Sequence, residues 1–232
     1  MGSDASCVAI QKLEELTEER MRTTLGARTA RRYADQFGWS IARGHYASEQ
    51  QLTMPCCCGT ALPLESFACS CGSQQCDAPG CHPVADDWMA EACSDPEAIT
   101  QLWGGQQWWP IAATGVFFDA VVVEGPLPAS VLARAERDEK PLGLTLTWRD
   151  AWHAFLIAPG SLDGSSASQR VGVSVRGVGR WVPLPAVALH SPARWVSSPM
   201  ETRALILNDA EAVLSMLPSE GQHEELEAEQ AW

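Results

Sequence analysis

The chain has 232 residues, 46% of them hydrophobic and ten of them Trp, and it carries a formal net charge of -13. That length and apolar content suffice for one substantial core, or at most two small domains, and exclude wholesale disorder. The charge excludes a non-specific coat on duplex DNA, which is bound through phosphate neutralisation, because 16 Lys and Arg stand against 29 Asp and Glu.

In chain order, Ile10, Leu13, Leu16, Met21 and Leu25 fall loosely at helical spacing and stop at Gly26. A second helix is predicted from Arg28 to Phe37, with Ala30, Tyr33, Ala34 and Phe37 turned inward and Gly38 ending it. Trp39 to Ala42 reads as a short strand, and residues 44–86 form a cysteine-rich insertion. Asp95 and Pro96 supply an N-cap and a first-turn proline for a helix through Leu102 and Trp103. Strands are predicted over Val116 to Val123, over the alternation of Leu142, Leu144 and Leu146, and over His153 to Ile157, Val171 to Val175 and Arg180 to Val182. A helix from about Pro128 to Arg137 separates the first two of these, and Ala210 to Leu217 forms a last helix.

The mixture predicts a single α/β or α+β domain, a mixed sheet flanked by helices, with a metal loop inserted near its N-terminal end. Three parts follow: an N-terminal helical extension over 1–27, the domain over 28–218 with its zinc loop at about 56–83, and an acidic, flexible tail over 219–232. The longest apolar run is interrupted by Asp119 and is too short for the roughly 20 residues that span a bilayer. The start, Met-Gly-Ser-Asp followed by Lys12, Glu14 and Glu15, has no basic region leading into an apolar stretch. No membrane association is expected, and a cytoplasmic location is; in a reducing compartment nine Cys favour a metal over disulfides.

The most specific chemistry lies in Cys69-Ser-Cys71-Gly-Ser-Gln-Gln-Cys76-Asp-Ala-Pro-Gly-Cys81-His82. Three thiols and an imidazole, Cys69, Cys71, Cys76 and His82, give Zn2+ a closed tetrahedral set, and Gly72, Pro79 and Gly80 supply the bends. The ion replaces a core that so polar a loop cannot build. Reduced structural thiols, or disulfides in an exported protein, are the alternatives. Cys81 competes for the ion, and Cys56, Cys57 and Cys58 supply a second group or stay as thiols. Trp103, Trp108 and Trp109 read as core packing, or as a stacking platform that lacks interleaved basic residues.

From about residue 28 to 198 the order of features resembles the N-terminal domain of bifunctional DNA primase/polymerases, the Prim-Pol branch of the archaeo-eukaryotic primase superfamily, in its short stand-alone form. The resemblance rests on Arg31-Arg-Tyr33-Ala-Asp-Gln-Phe37-Gly38-Trp39, the cysteine loop ending in Pro-Gly-x-His82-Pro83, and Asp95-Pro-Glu-Ala-Ile99 with Trp103. It continues through Thr114-Gly115, Phe118-Asp119-Ala-Val-Val-Val-Glu124, Trp152-His153-Ala-Phe155 and Val173-Ser174-Val175-Arg176-Gly177-x-Gly179. Such a family implies template-directed nucleotidyl transfer, with strand carboxylates holding Mg2+ or Mn2+. The positions of its first two acids fall on Val122 and Glu124, and that of the third on Ser174. Val122 cannot ligate a dication, and a serine hydroxyl is a weak ligand for one. Asp119, at an odd offset from Glu124, points to the other face.

The resemblance thus implies a degenerate catalytic site of Glu124 and His153, and a nucleotide site of His153, Arg176 and Arg180. Three functions are compatible with these residues. One is a primase/polymerase-like protein with lost or impaired catalysis and a nucleotide-binding or scaffold role near replication or mobile-element maintenance. The others are an active primase/polymerase, and a zinc-bearing module that binds a protein through its acidic surface. Nucleotide, nucleic acid and protein are all admissible partners.

Overall fold

The computed structural model describes residues 25–55, 61–73, 76, 78, 80, 82–125, 142–149, 151–162, 170, 172–186, 191–199 and 205–217. The first predicted helix as far as residue 24, the predicted helix over 128–137, the acidic tail, and Cys56, Cys57, Cys58 and Cys81 lie outside them. The chain folds as α+β and forms two compact units, residues 1–111 with 186–192, and residues 112–185 with 193–232. Among the described residues no helix is long and apolar enough to cross a membrane.

The first unit starts with helix α1 over 25–37. Its inward face carries Ala30, Tyr33 and Ala34, all buried, and Tyr33 stacks on the buried Trp39 with ring centroids 5.5 Å apart. Gly38, at φ +70, ends the helix in the left-handed region, where a side chain would be strained. Strand β1 (Ile41–Gly44) follows, two residues later than the sequence predicts, and lies beside β4 (Trp109–Ala113).

The insertion holds two strands that the residue pattern does not announce. β2 (Ala47–Pro55) and β3 (Ala61–Cys69) pair antiparallel from Ala47 opposite Cys69 to Pro55 opposite Ala61. β2 carries the polar run Ser48 to Gln51 and Pro63 stands inside β3, so neither reads as an uninterrupted strand; the hairpin cue is the five-residue connection containing Gly59. A short helix α2 (Trp88–Glu91) precedes α3 (Pro96–Trp103). The Asp95 side chain accepts from the N–H groups of Glu97 and Ala98, so α3 begins at the predicted cap and buries Ile99 and Trp103.

The second unit is built on a five-stranded sheet, order β10-β6-β7-β5-β8. Its strands are β5 (Asp119–Glu124), β6 (Thr145–Trp148), β7 (Trp152–Ile157), β8 (Val173–Arg176) and β10 (Ala193–Ser197). The ladders are antiparallel, and one isolated parallel bridge joins Ile157 to Asn208. β5 starts three residues later than expected: Gly115 sits at φ +99, residues 115–117 bend, and Val116 is exposed. β9 (Trp181–Pro183) follows a turn in which the Arg180 N–H donates to the Gly177 carbonyl at 3.1 Å, and the Arg180 carbonyl accepts from the Thr114 N–H at 2.9 Å.

Helix α4 (Ala210–Met216), capped by Asp209, covers one face of the sheet. Val213, Leu214 and Leu217 pack there with Val121, Val123, Phe155 and Ile157. Thr145 and Thr147 are as buried as Leu144 and Leu146, so the Leu/Thr alternation does not separate core from solvent. Their hydroxyls are satisfied locally, Thr145 on the Gly143 carbonyl at 2.9 Å and Thr147 on the Trp152 carbonyl at 2.8 Å.

Candidate metal centre and candidate nucleotide face

Cys69 ends β3 and is buried, and the Gly72 N–H donates to its carbonyl at 3.0 Å, a turn that brings Cys71 back over it. His82 arrives on the segment alongside β1: the His45 N–H donates to the His82 carbonyl at 2.9 Å and the Val84 N–H to the Arg43 carbonyl at 3.1 Å. Gly80 lets that segment close. A Cβ there would meet the Ala47 nitrogen at 2.5 Å, and the bare N–H donates to the Cys69 sulfur at 3.3 Å.

The structure thus gathers Cys69, Cys71, Cys76 and His82, with ligand atoms all within 4.8 Å of one another. The Cys69 sulfur and His82 Nε2 are 3.3 Å apart, close to the ~3.5 Å that Zn–S and Zn–N bond lengths set across a tetrahedron. His82 Nδ1 lies 3.0 Å from the Pro83 carbonyl; donating there leaves the lone pair on Nε2, the atom facing the thiols. The donor set fits a soft or borderline dication. Burial pushes the Cys76 thiol up to about 12, while the Ser73 backbone N–H holds Cys71 below the ordinary thiol value. A bound cation would reverse the first of these by deprotonating the thiol.

Behind the cluster stands a layer that the sequence does not single out. The His45 ring lies 4.5 Å from that of His82, and His45 Nδ1 is 2.8 Å from the Ser70 hydroxyl. Burial, then the neighbouring His82, lowers the His45 pKa. Trp108 meets His45 edge-on and the Arg43 guanidinium face-on, and Arg43 pairs with Glu91 at 2.7 Å. Trp103 and Trp109 are buried, so the three tryptophans do not form an exposed platform.

In the second unit the strand register decides the faces. Residues directly opposite in an antiparallel ladder share a face. Val122 pairs with Ser174 across β5 and β8, and Glu124, two residues on, lies on the same side opposite Trp152. Asp119 lies on the other side, where its Oδ2 accepts from the Gly160 N–H at 2.7 Å. His153 pairs with Val123, so it too belongs to the face under α4, and it is buried. His153 and Glu124 therefore do not converge.

Arg176 shares the face of Ser174 and Glu124 but is engaged within the protein. Its guanidinium lies 5.4 Å from the Trp148 ring centroid and 5.0 Å from that of Trp181, and Nη1 donates to the Trp181 carbonyl at 2.7 Å. Trp148 in turn stacks on Trp152 at 5.9 Å. Arg180 is exposed beyond Gly179, which has φ +79. The aromatic–guanidinium stack had no signal in the sequence beyond the spacing of Trp148, Trp152 and Trp181.

No curated protein and no solved structure matches the chain significantly. The family model of the bifunctional DNA primase/polymerase, N-terminal, matches residues 30–210, which include the Cys3His cluster and all three positions Val122, Glu124 and Ser174. The chain belongs to the bifunctional DNA primase/polymerase N-terminal (Prim-Pol) family.

Proposed function

We propose that this chain is a primase/polymerase-like protein with impaired nucleotidyl transfer, keeping a nucleotide-binding or scaffold role in DNA replication or mobile-element maintenance. One observation carries the reading: the two positions opposite each other on β5 and β8 are Val122 and Ser174, so Glu124 is the one acid of the three. Two-metal phosphoryl transfer neutralises charge on both the attacking and the leaving oxygen, and a single carboxylate is a poor clamp. Val122 is fully buried beside Ala154, so that position packs as core, while Glu124 and Ser174 stay exposed.

For nucleotide binding, the exposed Arg180 offers a guanidinium to a phosphate, and Arg176 supports the face through Trp148 and Trp181. His153, buried and paired with Val123, lies on the other side of the sheet from Arg176. We assign the Cys3His cluster to one structural Zn2+, because its donor set and short separations suit a closed tetrahedral site.

Titration of a nucleoside triphosphate, read by calorimetry or Trp fluorescence, tests the reading. Modest affinity that falls with salt and with Arg180→Ala is expected. Absence of binding up to millimolar nucleotide would leave the zinc-bearing protein-interaction module as the better account.

A further inference from the structure

The outward face of α1 is a basic ridge that lines a depression. Arg28, Arg31, Arg32 and Asp35 stand at i, i+3, i+4 and i+7, on one side of the helix. All four are exposed, and with Pro96 they line a depression of about 370 Å³ within the first unit. The opposite side of α1 is core, so the helix cannot roll to hide the ridge without exposing Tyr33 and Ala34.

Arg32 Nε donates to Gln36 Oε1 at 3.2 Å. No ion pair to Arg28 or Arg31 occurs among the described residues. Two acids stand close by. Asp35 shares the ridge, and the Asp95 carboxylate, next to Pro96, is used on the N–H groups of Glu97 and Ala98. Three guanidiniums against one ridge carboxylate make a local positive surface on a protein whose net charge is -13. Nothing in the α1 fold needs them there, since exposed helix positions accept Glu, Gln or Ala as readily.

We propose that this ridge contacts the phosphate backbone of single-stranded nucleic acid. The inference rests on the reading of the chain as a protein of nucleotides and nucleic acids, and deepens it by naming a surface. A guanidinium presents a planar fork that matches phosphate oxygens bidentately, which an ammonium does not. Three of them stepped along a helix suit a repeating anion better than a single one. The ridge is one helix face wide and the molecule as a whole is acidic, which favours a strand over a duplex.

The test is fluorescence anisotropy of a labelled oligothymidylate, with a salt titration, on the full chain. Wild type is expected to bind at low salt, and Arg28→Ala/Arg31→Ala to lower the slope of log K against log salt by about 1.4, two phosphate contacts at ~0.7 each on a single strand. The pair Arg28→Lys/Arg31→Lys keeps the slope while weakening binding, and Arg194→Ala, in the other unit, changes neither. Arg28, Arg31 and Arg194 are all exposed, so unchanged melting confirms that each variant folds. The proposal is overturned if the double alanine variant binds as wild type does, if wild type does not bind, or if a synthetic Glu-rich peptide binds the ridge more tightly than the oligonucleotide. The triphosphate titration reads the other unit. Loss of triphosphate binding with ridge-dependent oligonucleotide binding defeats only the nucleotide reading, and the converse defeats only the ridge.

Discussion

Val122 and Ser174 face each other across the β5–β8 ladder, and Glu124 lies two residues along on the same side of the sheet. In the polymerase reading of this fold these three places hold the metal-binding acids, so the register turns a sequence correspondence into a spatial one. It also gives a prediction by reconstruction. Wild type should show no thermal stabilisation by Mn2+ at this face, whereas Val122→Asp/Ser174→Asp should be less stable without metal and regain stability with it. Burying a carboxylate at a fully buried position costs several kcal/mol unless it is paired or bound to a cation. A double variant whose melting is indifferent to Mn2+ contradicts the assignment of this face.

Protein purified without chelator should carry about one equivalent of zinc, measured by elemental analysis, and removing it should lower the melting temperature. Cys69→Ser should act like removal, because Cys69 is the buried member and also receives the Gly80 N–H. Well-folded, thiol-reduced protein containing no zinc would retire the site.

Arg176 should behave as a structural residue. Arg176→Ala removes two ring contacts and the bond to the Trp181 carbonyl, and the expected destabilisation is about 1–3 kcal/mol by denaturant unfolding. Arg176→Lys should recover little, since an ammonium cannot stack between two rings. Unchanged stability with lost nucleotide affinity would instead return Arg176 to direct phosphate contact.

Asn208 ties the sheet to the segment leading into α4. Its Nδ2 donates to the carbonyls of Leu144 and Leu156, at 2.8 and 3.1 Å. Asn208→Ala should cost about 1–3 kcal/mol, since it leaves carbonyls of the β6–β7 region without that donor. Hydrogen exchange should rise in β6 and β7 but not in β1. A uniform rise would mean that Asn208 is not a local tie.

What the sequence made legible follows the strength of each local signal. Helices with a cap residue and a stop, such as α3 from Asp95 to Gly104, appear where the residues place them. The Cys3His cluster was readable because metal ligands recur at short spacings in one loop. The β2–β3 hairpin was not, because a polar run fills the first half of β2, Pro63 interrupts β3, and the pairing is a matter of register between strands. β4 was missed for a similar reason: Trp109 is followed by Pro110, which reads as a break in a strand. Period-2 reasoning put Asp119 and Glu124 on opposite faces correctly, yet the same reasoning applied across strands needs a register. Only the pairing of His153 with Val123 shows that this histidine faces away from Glu124. The engagement of Arg176 by Trp148 and Trp181 joins three strands and has no local signature at all.

The proposed impairment of nucleotidyl transfer at the acid face is open to direct measurement. A primer-synthesis and extension assay with Mg2+ and with Mn2+ measures it directly. Products should be weak or absent, and unchanged in Glu124→Gln, because one carboxylate beside a valine and a serine is a poor clamp for both oxygens of the transfer. Robust products that vanish on Glu124→Gln would contradict it.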